Sequence, residues 1–349
     1  MSIDEILEAA ESHGASDVFL QEGEVPRLKI DDQMMVLGEN PMDMGSMAGL
    51  WQLCGGDVMQ ELDRDSGMIA ASGTRYRVNL HKVMGRLGAV LRRIRTDIPS
   101  MASLGLPTKL LESWASRQHG MVLVTGPTGS GKSTTVAAML GWMNQHLARH
   151  IVTIEDPVEY LFTAERSLFT QREVGRDTES FSKGLRSAVR QAPDVIFVGE
   201  IRDYETALTA LQACETGHLV LATLHSEKVA DTMVRFVNLF PADQLAVGLH
   251  LLSSQLVGVL CQKLVPRAGG GLHLLIEHLE NAGASRNWIA RQEHDQIRDY
   301  LMRGSDPRAV GFLKSIISAQ KAGLIDESTA IEAAGSESEF RRAVRGISG

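Results

Sequence analysis

A parallel α/β sheet covered on both faces, with a small α+β domain ahead of it and a helical tail behind, is the architecture the sequence predicts. Three observations predict it. Short apolar runs recur at 120–124, 150–154, 194–198 and 218–223, each bounded by turn or charged residues. Helical patterns separate them, notably at 132–147, 180–191 and 203–215. Strands that are apolar throughout and alternate with helices belong to sheets buried on both faces. The first hundred residues have a different texture, with short stretches punctuated by turn residues.

The elements follow in order. Ile3, Ile6, Leu7 and Ala10 fall at helical spacing, and His13-Gly14 closes that helix. Segments 17–20, 26–30 and 34–37 read as short strands, 47–62 as a helix, and 74–81 and 88–94 as two more strands. The expected division is an α+β domain over 1–97, a linker over 98–110, the α/β core over 111–281 and a helical region over 282–349 without strands. Residues 244–262 carry no Asp, Glu, Lys or Arg and approach the length of a membrane span. Gln244, His250, Ser253, Ser254, Gln255 and Gln262 make them too polar to face lipid, so a buried helix followed by a strand is expected.

Length and charge narrow the function. The 349 residues suit about two domains, with cores large enough to do without disulfides. Lys plus Arg number 35 against 43 Asp plus Glu, a net charge of −8. That balance argues against a nucleic-acid-wrapping protein, whose affinity comes largely from cations on phosphates. Cys54, Cys214 and Cys261 lie far apart, which points to a reducing, cytoplasmic setting and away from disulfide or zinc scaffolds. The acidic, amphipathic start of the chain reads as neither a secretory signal nor a transit peptide.

The chemistry concentrates at four places. Gly126-Pro127-Thr128-Gly129-Ser130-Gly131-Lys132-Ser133 is a phosphate-binding loop between an apolar strand and a helix, with Thr134 following. Its glycines turn backbone N–H groups onto phosphate oxygens, and the helix start adds a favourable dipole. Lys132 is expected to reach the β- and γ-phosphates of ATP, and the Ser133 hydroxyl to ligate Mg²⁺. Glu155, Asp156 and Glu159 follow the next strand, where ligands of open α/β sheets bind. They read either as groups that align water and metal or as a solvated acidic turn. The run 194–200 is an apolar strand ending in Gly199-Glu200, which makes Glu200 the carboxylate nearest a metal. Arg202 and Asp203 read as an ion pair at a helix start. Finally, His218 and His225 bracket a strand at odd separation, which speaks against a shared metal site. His225 stands at the carboxyl end, placed to sense a γ-phosphate; His218 alone defaults to a structural role.

Taken together, these blocks resemble the secretion and pilus ATPases of type II secretion and type IV pili. Segments 126–135, 153–160, 171–174, 190–196, 199–203 and 216–225 match the family's signatures in order, and Phe240-Pro-Ala-Asp243 also fits. The resemblance implies a RecA-like P-loop core behind a PAS-like first domain. It makes 155–159 the family's acidic box, Glu200 its second-motif carboxylate, and His218 and His225 its histidine box. Either Glu155 or Glu159 then aligns the attacking water. Segments 74–79 and 90–94 look like the family's arginine-bearing strands, so Arg77 and Arg92 become candidate stabilisers of charge on the nucleotide. The compact length resembles the retraction branch, PilT- and PilU-like, which implies a hexameric ATPase at the inner-membrane base of a pilus. It would dock on the machine's platform protein without inserting in the membrane, and in one alternative it assists a second retraction ATPase. The segment 284–289 matches the retraction-specific Ala-Ile-Arg-Asn-Leu-Ile only in part, and the Met-Gln-Thr-Phe-Asp block is not found before Leu313.

Overall fold

The computed structural model describes residues 1–30, 33–94, 96–304 and 306–345. The chain divides into two compact units, with the division between Thr96 and Asp97.

In the first unit, α1 (Ile3–Ser12) begins with a reciprocal cap between Ser2 and Glu5 and buries Ile6, Leu7 and Ala10. Then come β1 (Asp17–Gln21), β2 (Arg27–Ile30), β3 (Gln33–Val36), α2 (Met44–Leu53), β4 (Asp63–Ile69), β5 (Arg75–Val83) and β6 (Arg86–Arg93). The strands form one antiparallel sheet in the order β3-β2-β1-β6-β5-β4. Val18, Leu28, Val78, Leu80 and Leu91 pack with Met47, Leu50 and Trp51 of α2 in its core. Two expectations are corrected here. The helix expected over 47–62 ends at Leu53, and Gly55, at φ 73°, turns the chain where a side chain would be strained. β4 was not foreseen, because this edge strand buries only Met68 and shows no clear apolar alternation.

The second unit opens with α3 (Thr108–Ala115), β7 (Gly120–Thr125), α4 (Lys132–His146), β8 (His150–Glu155) and β9 (Leu168–Glu173). It continues with α5 (Phe181–Ala188), β10 (Val195–Val198), α6 (Tyr204–Glu215), β11 (Leu219–Leu224), α7 (Val229–Val237), α8 (Leu245–Gln255) and β12 (Leu256–Pro266). β13 (Leu272–Glu280), α9 (Ala284–Ala290), α10 (His294–Arg303), β14 (Ala309–Val310), α11 (Phe312–Lys321), α12 (Glu327–Ala334) and α13 (Glu337–Val344) complete it. Its sheet runs β14-β13-β12-β7-β11-β10-β8-β9, parallel from β12 to β9, with β13 and β14 antiparallel.

The predicted double covering is visible within a single strand. Met121 and Leu123 of β7 join a core with Leu185, Ala207, Ala210, Met233 and Leu252. Val122 and Val124 face the opposite core, with Leu111, Trp114, Val136, Met139 and Leu140. Alternate residues of a strand point to opposite faces, so a strand buried on both must be apolar throughout. The charge-poor stretch 244–262 is helix α8 running into β12, as expected. No described helix is long and apolar enough to cross a membrane.

The region after 282 is helical, but β14 corrects the expectation that it holds no strand: Ala309 and Val310 pair with Leu279 and His278. Two residues are too few to leave a periodicity. β9 and β13 also went unread, β9 because it is a half-exposed edge.

Candidate nucleotide site at the carboxyl ends of the parallel strands

Parallel strands bring the carboxyl ends of β7, β8, β10 and β11 to one side of the sheet, and the functional segments of the second unit emerge there. The loop 126–131 leaves β7 and enters α4. Gly126 sits at φ 150°, and a Cβ there would lie 2.4 Å from the Gln262 carbonyl and 2.5 Å from Ser130 Oγ. Only glycine lets the loop lie so close to β12. Gly131, at φ 84° and ψ 21°, is the N-cap of α4 and offers no side chain to its first turn. Those amides suit an anion better than a local cap would. Gly129 is likewise left-handed with open space beside it, and Pro127 and Thr128 are exposed. Ser130 Oγ is buried without a hydrogen-bond partner. A buried orphan donor beside a glycine-lined turn fits a phosphate oxygen.

Lys132 Nζ donates to the carbonyls of Gly126 at 3.0 Å and Pro127 at 2.9 Å. Burial pulls its pKa down, while Glu200 and Glu159 hold it up. Ser133 Oγ donates to Glu159 Oε1 at 3.0 Å, and Thr134 Oγ1 lies 3.0 Å from the Tyr160 hydroxyl. Two carboxylates thus face the loop's cation and hydroxyl.

Glu155 closes β8. It is 7% exposed and accepts from Thr153 Oγ1 at 2.6 Å, its neighbour on the same strand face. Burial pushes its carboxyl up to about 7, against hydrogen bonds from Thr153 and Gln171. The chain then runs through Asp156 to Glu159.

Glu200 follows β10 by two residues. Gly199 explains why no side chain stands at the strand end: a Cβ would meet the Ile154 carbonyl at 3.2 Å, Glu155 Cα at 3.3 Å and the Phe181 ring at 3.3 Å. Glu200 Oε1 lies 3.4 Å from His225 Nε2, and Oε2 accepts from Arg202 Nε at 2.6 Å. Arg202 therefore pairs with Glu200 and not with Asp203, which instead accepts the Thr206 amide at 2.8 Å as N-cap of α6. Burial and Lys132 lower the His225 pKa, and Glu200 opposes them. Thr223 Oγ1 donates to the Gly199 carbonyl and fixes the Glu200 turn against β11.

His218 lies at the other end of β11. Its Nδ1 is 2.9 Å from the Ala213 carbonyl and 3.2 Å from Thr216 Oγ1, at the carboxyl end of α6. The structure does not bring it to the Glu200–His225 contact. The two histidines stand at opposite ends of the strand, which is a stronger separation than opposite faces.

Arg77 and Arg92 belong to the first unit, where they are cross-strand partners on β5 and β6. Arg92 Nε donates to the buried Asp17 at 2.6 Å, and Arg77 Nη2 lies 3.8 Å from Asp65. β5 and β6 set the two residues opposite each other, and their guanidinium groups reach outward to the flanking strands, Arg92 to β1 and Arg77 to β4.

Sequence reasoning passed over the wall behind the phosphate loop. Gln262 Nε2 donates to Thr135 Oγ1 of α4 at 2.8 Å, and its carbonyl packs on Gly126. Thr125 Oγ1 lies 2.7 Å from Cys261 Sγ and 3.2 Å from Thr232 Oγ1. The one available signal was the placement of these polar residues inside otherwise apolar runs. Among the described residues no group of three or more His, Cys, Asp or Glu is arranged to hold a metal ion. The hard oxygen donors Ser133, Glu159 and Glu200 fit Mg²⁺ carried by a nucleotide, which takes few protein ligands.

The loop, the parallel sheet and the carboxylates at its carboxyl edge define a phosphate-loop nucleotide-binding protein. The chain belongs to the family described as type II/IV secretion system proteins, whose pattern fits residues 1–271. It is 38% identical over 313 residues to the type IV pilus retraction ATPase PilT of Pseudomonas aeruginosa, covering 87% of this chain and 90% of that one. It is 34% identical over 354 aligned positions to the type IV pilus ATPase PilU of the same organism, covering 99% and 92%. The fold matches the crystal structure of the pilus retraction motor PilT with bound ADP at a TM-score of 0.90 and 38% identity, over 98% of this chain and 99% of that one. It also matches the ATPase DotB of Legionella pneumophila at 0.83 and 27%, over 96% of each chain.

Proposed function

We propose that this protein is a Mg²⁺-dependent ATPase motor of type IV pilus retraction, a hexameric ring at the cytoplasmic face of the inner membrane. The observation that carries this reading is the gathering of Lys132, Ser133, Glu159, Glu200 and His225 where β7, β8, β10 and β11 end. The extended likeness to PilT, whose solved structure holds ADP, supports it.

Each residue has a distinct task. The amides of 126–131 and Lys132 bind the ATP phosphates, and Lys132 exchanges its carbonyl partners for phosphate oxygens. Ser133 and Glu200 would hold Mg²⁺, which neutralises charge on the phosphates when bound. Glu159 or Glu155 orients the attacking water; Glu155, titrating near neutrality, is suited to accept its proton. His225 senses the γ-phosphate and passes its presence to Glu200. Arg77 and Arg92 of the first unit stabilise charge developing on the γ-phosphoryl group. Closure of that unit on ATP would couple hydrolysis to movement of the pilus fibre through the platform protein.

Deleting the gene tests this. Loss of twitching with an excess of surface pili is expected, whereas absence of pili would contradict retraction. A second reading, an accessory ring that assists a partner retraction ATPase, is favoured by the segment 284–289. There Ser285 is buried and donates to Asn281 Oδ1 at 3.2 Å, and Trp288 packs edge-on against Tyr300. Fast ATP turnover by the purified chain alone would count against that second reading.

A further inference from the structure

Several helices of the second unit begin without a capping side chain of their own, and two of these share a feature. α7 follows Lys228 and α11 follows Gly311, and neither first turn receives a hydrogen bond from its N-cap side chain. A single carboxylate serves both. Glu277, on β13, accepts the Val229 amide on Oε1 at 2.7 Å and the Phe312 amide on Oε2 at 3.2 Å. These are the first residues of their helices, so two positive dipole ends converge on one group that is 7% exposed. Burial raises the Glu277 pKa, and the two amides and Lys228 resist that rise. A buried carboxylate is tolerated when both oxygens are hydrogen-bonded, and here they are.

The helices it holds lead to the site on one side and to the tail on the other. α7 begins four residues after His225, and Ser226 Oγ donates to the Lys228 carbonyl across the intervening turn at 3.4 Å. One turn into α7, Thr232 lies 3.2 Å from Thr125, the residue that precedes Gly126, and 3.6 Å from Cys261. Cys261 is the cross-strand partner of Glu277. α11 opens the carboxy-terminal cluster of Ile316, Ala319, Ile325, Ala330 and Phe340.

We propose that Glu277 is a positioning residue for ATP turnover. By holding the first amides of α7 and α11, it fixes the turn that carries His225 against the phosphate loop and ties that turn to the carboxy-terminal helices. It touches neither nucleotide nor water and acts through His225. The inference rests on the reading of this site as an ATPase.

The test uses the purified full-length chain. Glu277→Gln keeps the shape but replaces one acceptor oxygen with an NH₂ that opposes a helix amide. The expected result is a fall in kcat of about 10-fold with the KM for ATP changed by less than about 2-fold. Val229→Pro removes the amide facing Glu277 at a first helical position that suits proline, and it also replaces a buried core side chain, for which Val229→Ala is the control. The proline variant should reproduce the loss, and it carries the test if Glu277→Gln fails to fold. Because the effect passes through His225, adding Glu277→Gln to His225→Ala should lower kcat no further. Undiminished turnover in Glu277→Gln or Val229→Pro, or losses that multiply in the His225→Ala background, would overturn the proposal. A wild-type chain without ATP turnover would instead sink the ATPase reading, and this inference with it.

Discussion

His218 and His225 bracket the same strand, roughly 20 Å apart at about 3.3 Å per residue, yet their surroundings have nothing in common. His225 stands where parallel strands deliver Glu200, Lys132 and the start of α4 to one edge. His218 stands where α6 ends, its ring against the Ala213 carbonyl and Thr216. The carboxyl edge exposes helix starts, which collect anions; the amino edge exposes helix ends, whose carbonyls accept a ring N–H. Position along a parallel strand, not residue type, decides which of these surroundings a histidine meets.

Three substitutions test this contrast, in descending order of effect. His225→Ala should lower kcat by about 10- to 100-fold, because it removes the group beside Glu200 that we propose senses the γ-phosphate. A steady-state assay of ATP turnover checks it, and unchanged turnover would erase the distinction between the two ends.

Glu155→Gln sharpens the carboxyl-edge account through stability. The folded-state pKa of Glu155, about 7, lies above its ordinary value of 4.5. Its contribution is therefore fully present below about 4.5 and lost as pH rises through about 7. The glutamine variant, which never ionises, should gain on the wild type between those values, by on the order of 2–3 kcal/mol. Denaturant unfolding at pH 5 and pH 8 reads the difference; a gap independent of pH would place Glu155 in contact with solvent.

His218→Ala should cost about 1 kcal/mol of stability through the lost hydrogen bond at the end of α6, and leave turnover within about 2-fold. A loss of turnover matching that of His225→Ala would show that the amino edge also serves the chemistry.

Much of this was legible in the sequence, for identifiable reasons. The phosphate loop announces itself because its glycines have no substitute at such φ values and close approaches, as Gly126 shows against Gln262. The buried strands were legible because covering on both faces leaves no polar position. Edge elements were not: β4 and β9 bury too little to impose a pattern, and β14 is two residues long. Proximity in sequence suggests an Arg202–Asp203 pair, whereas the Asp203 side chain accepts the Thr206 amide of α6 and Arg202 turns to Glu200. Glu277 gave no signal at all, because its partners are backbone amides of segments 48 and 35 residues away. A contact made through backbone leaves no trace in residue identity.

The central claim is that Glu200, at the carboxyl edge beside His225, serves hydrolysis and not nucleotide binding. Glu200→Gln in the full-length chain tests it most directly, with ATP affinity and steady-state turnover measured on one preparation. The account predicts affinity within about 3-fold of wild type and turnover reduced by about 100-fold or more. Undiminished hydrolysis would contradict it.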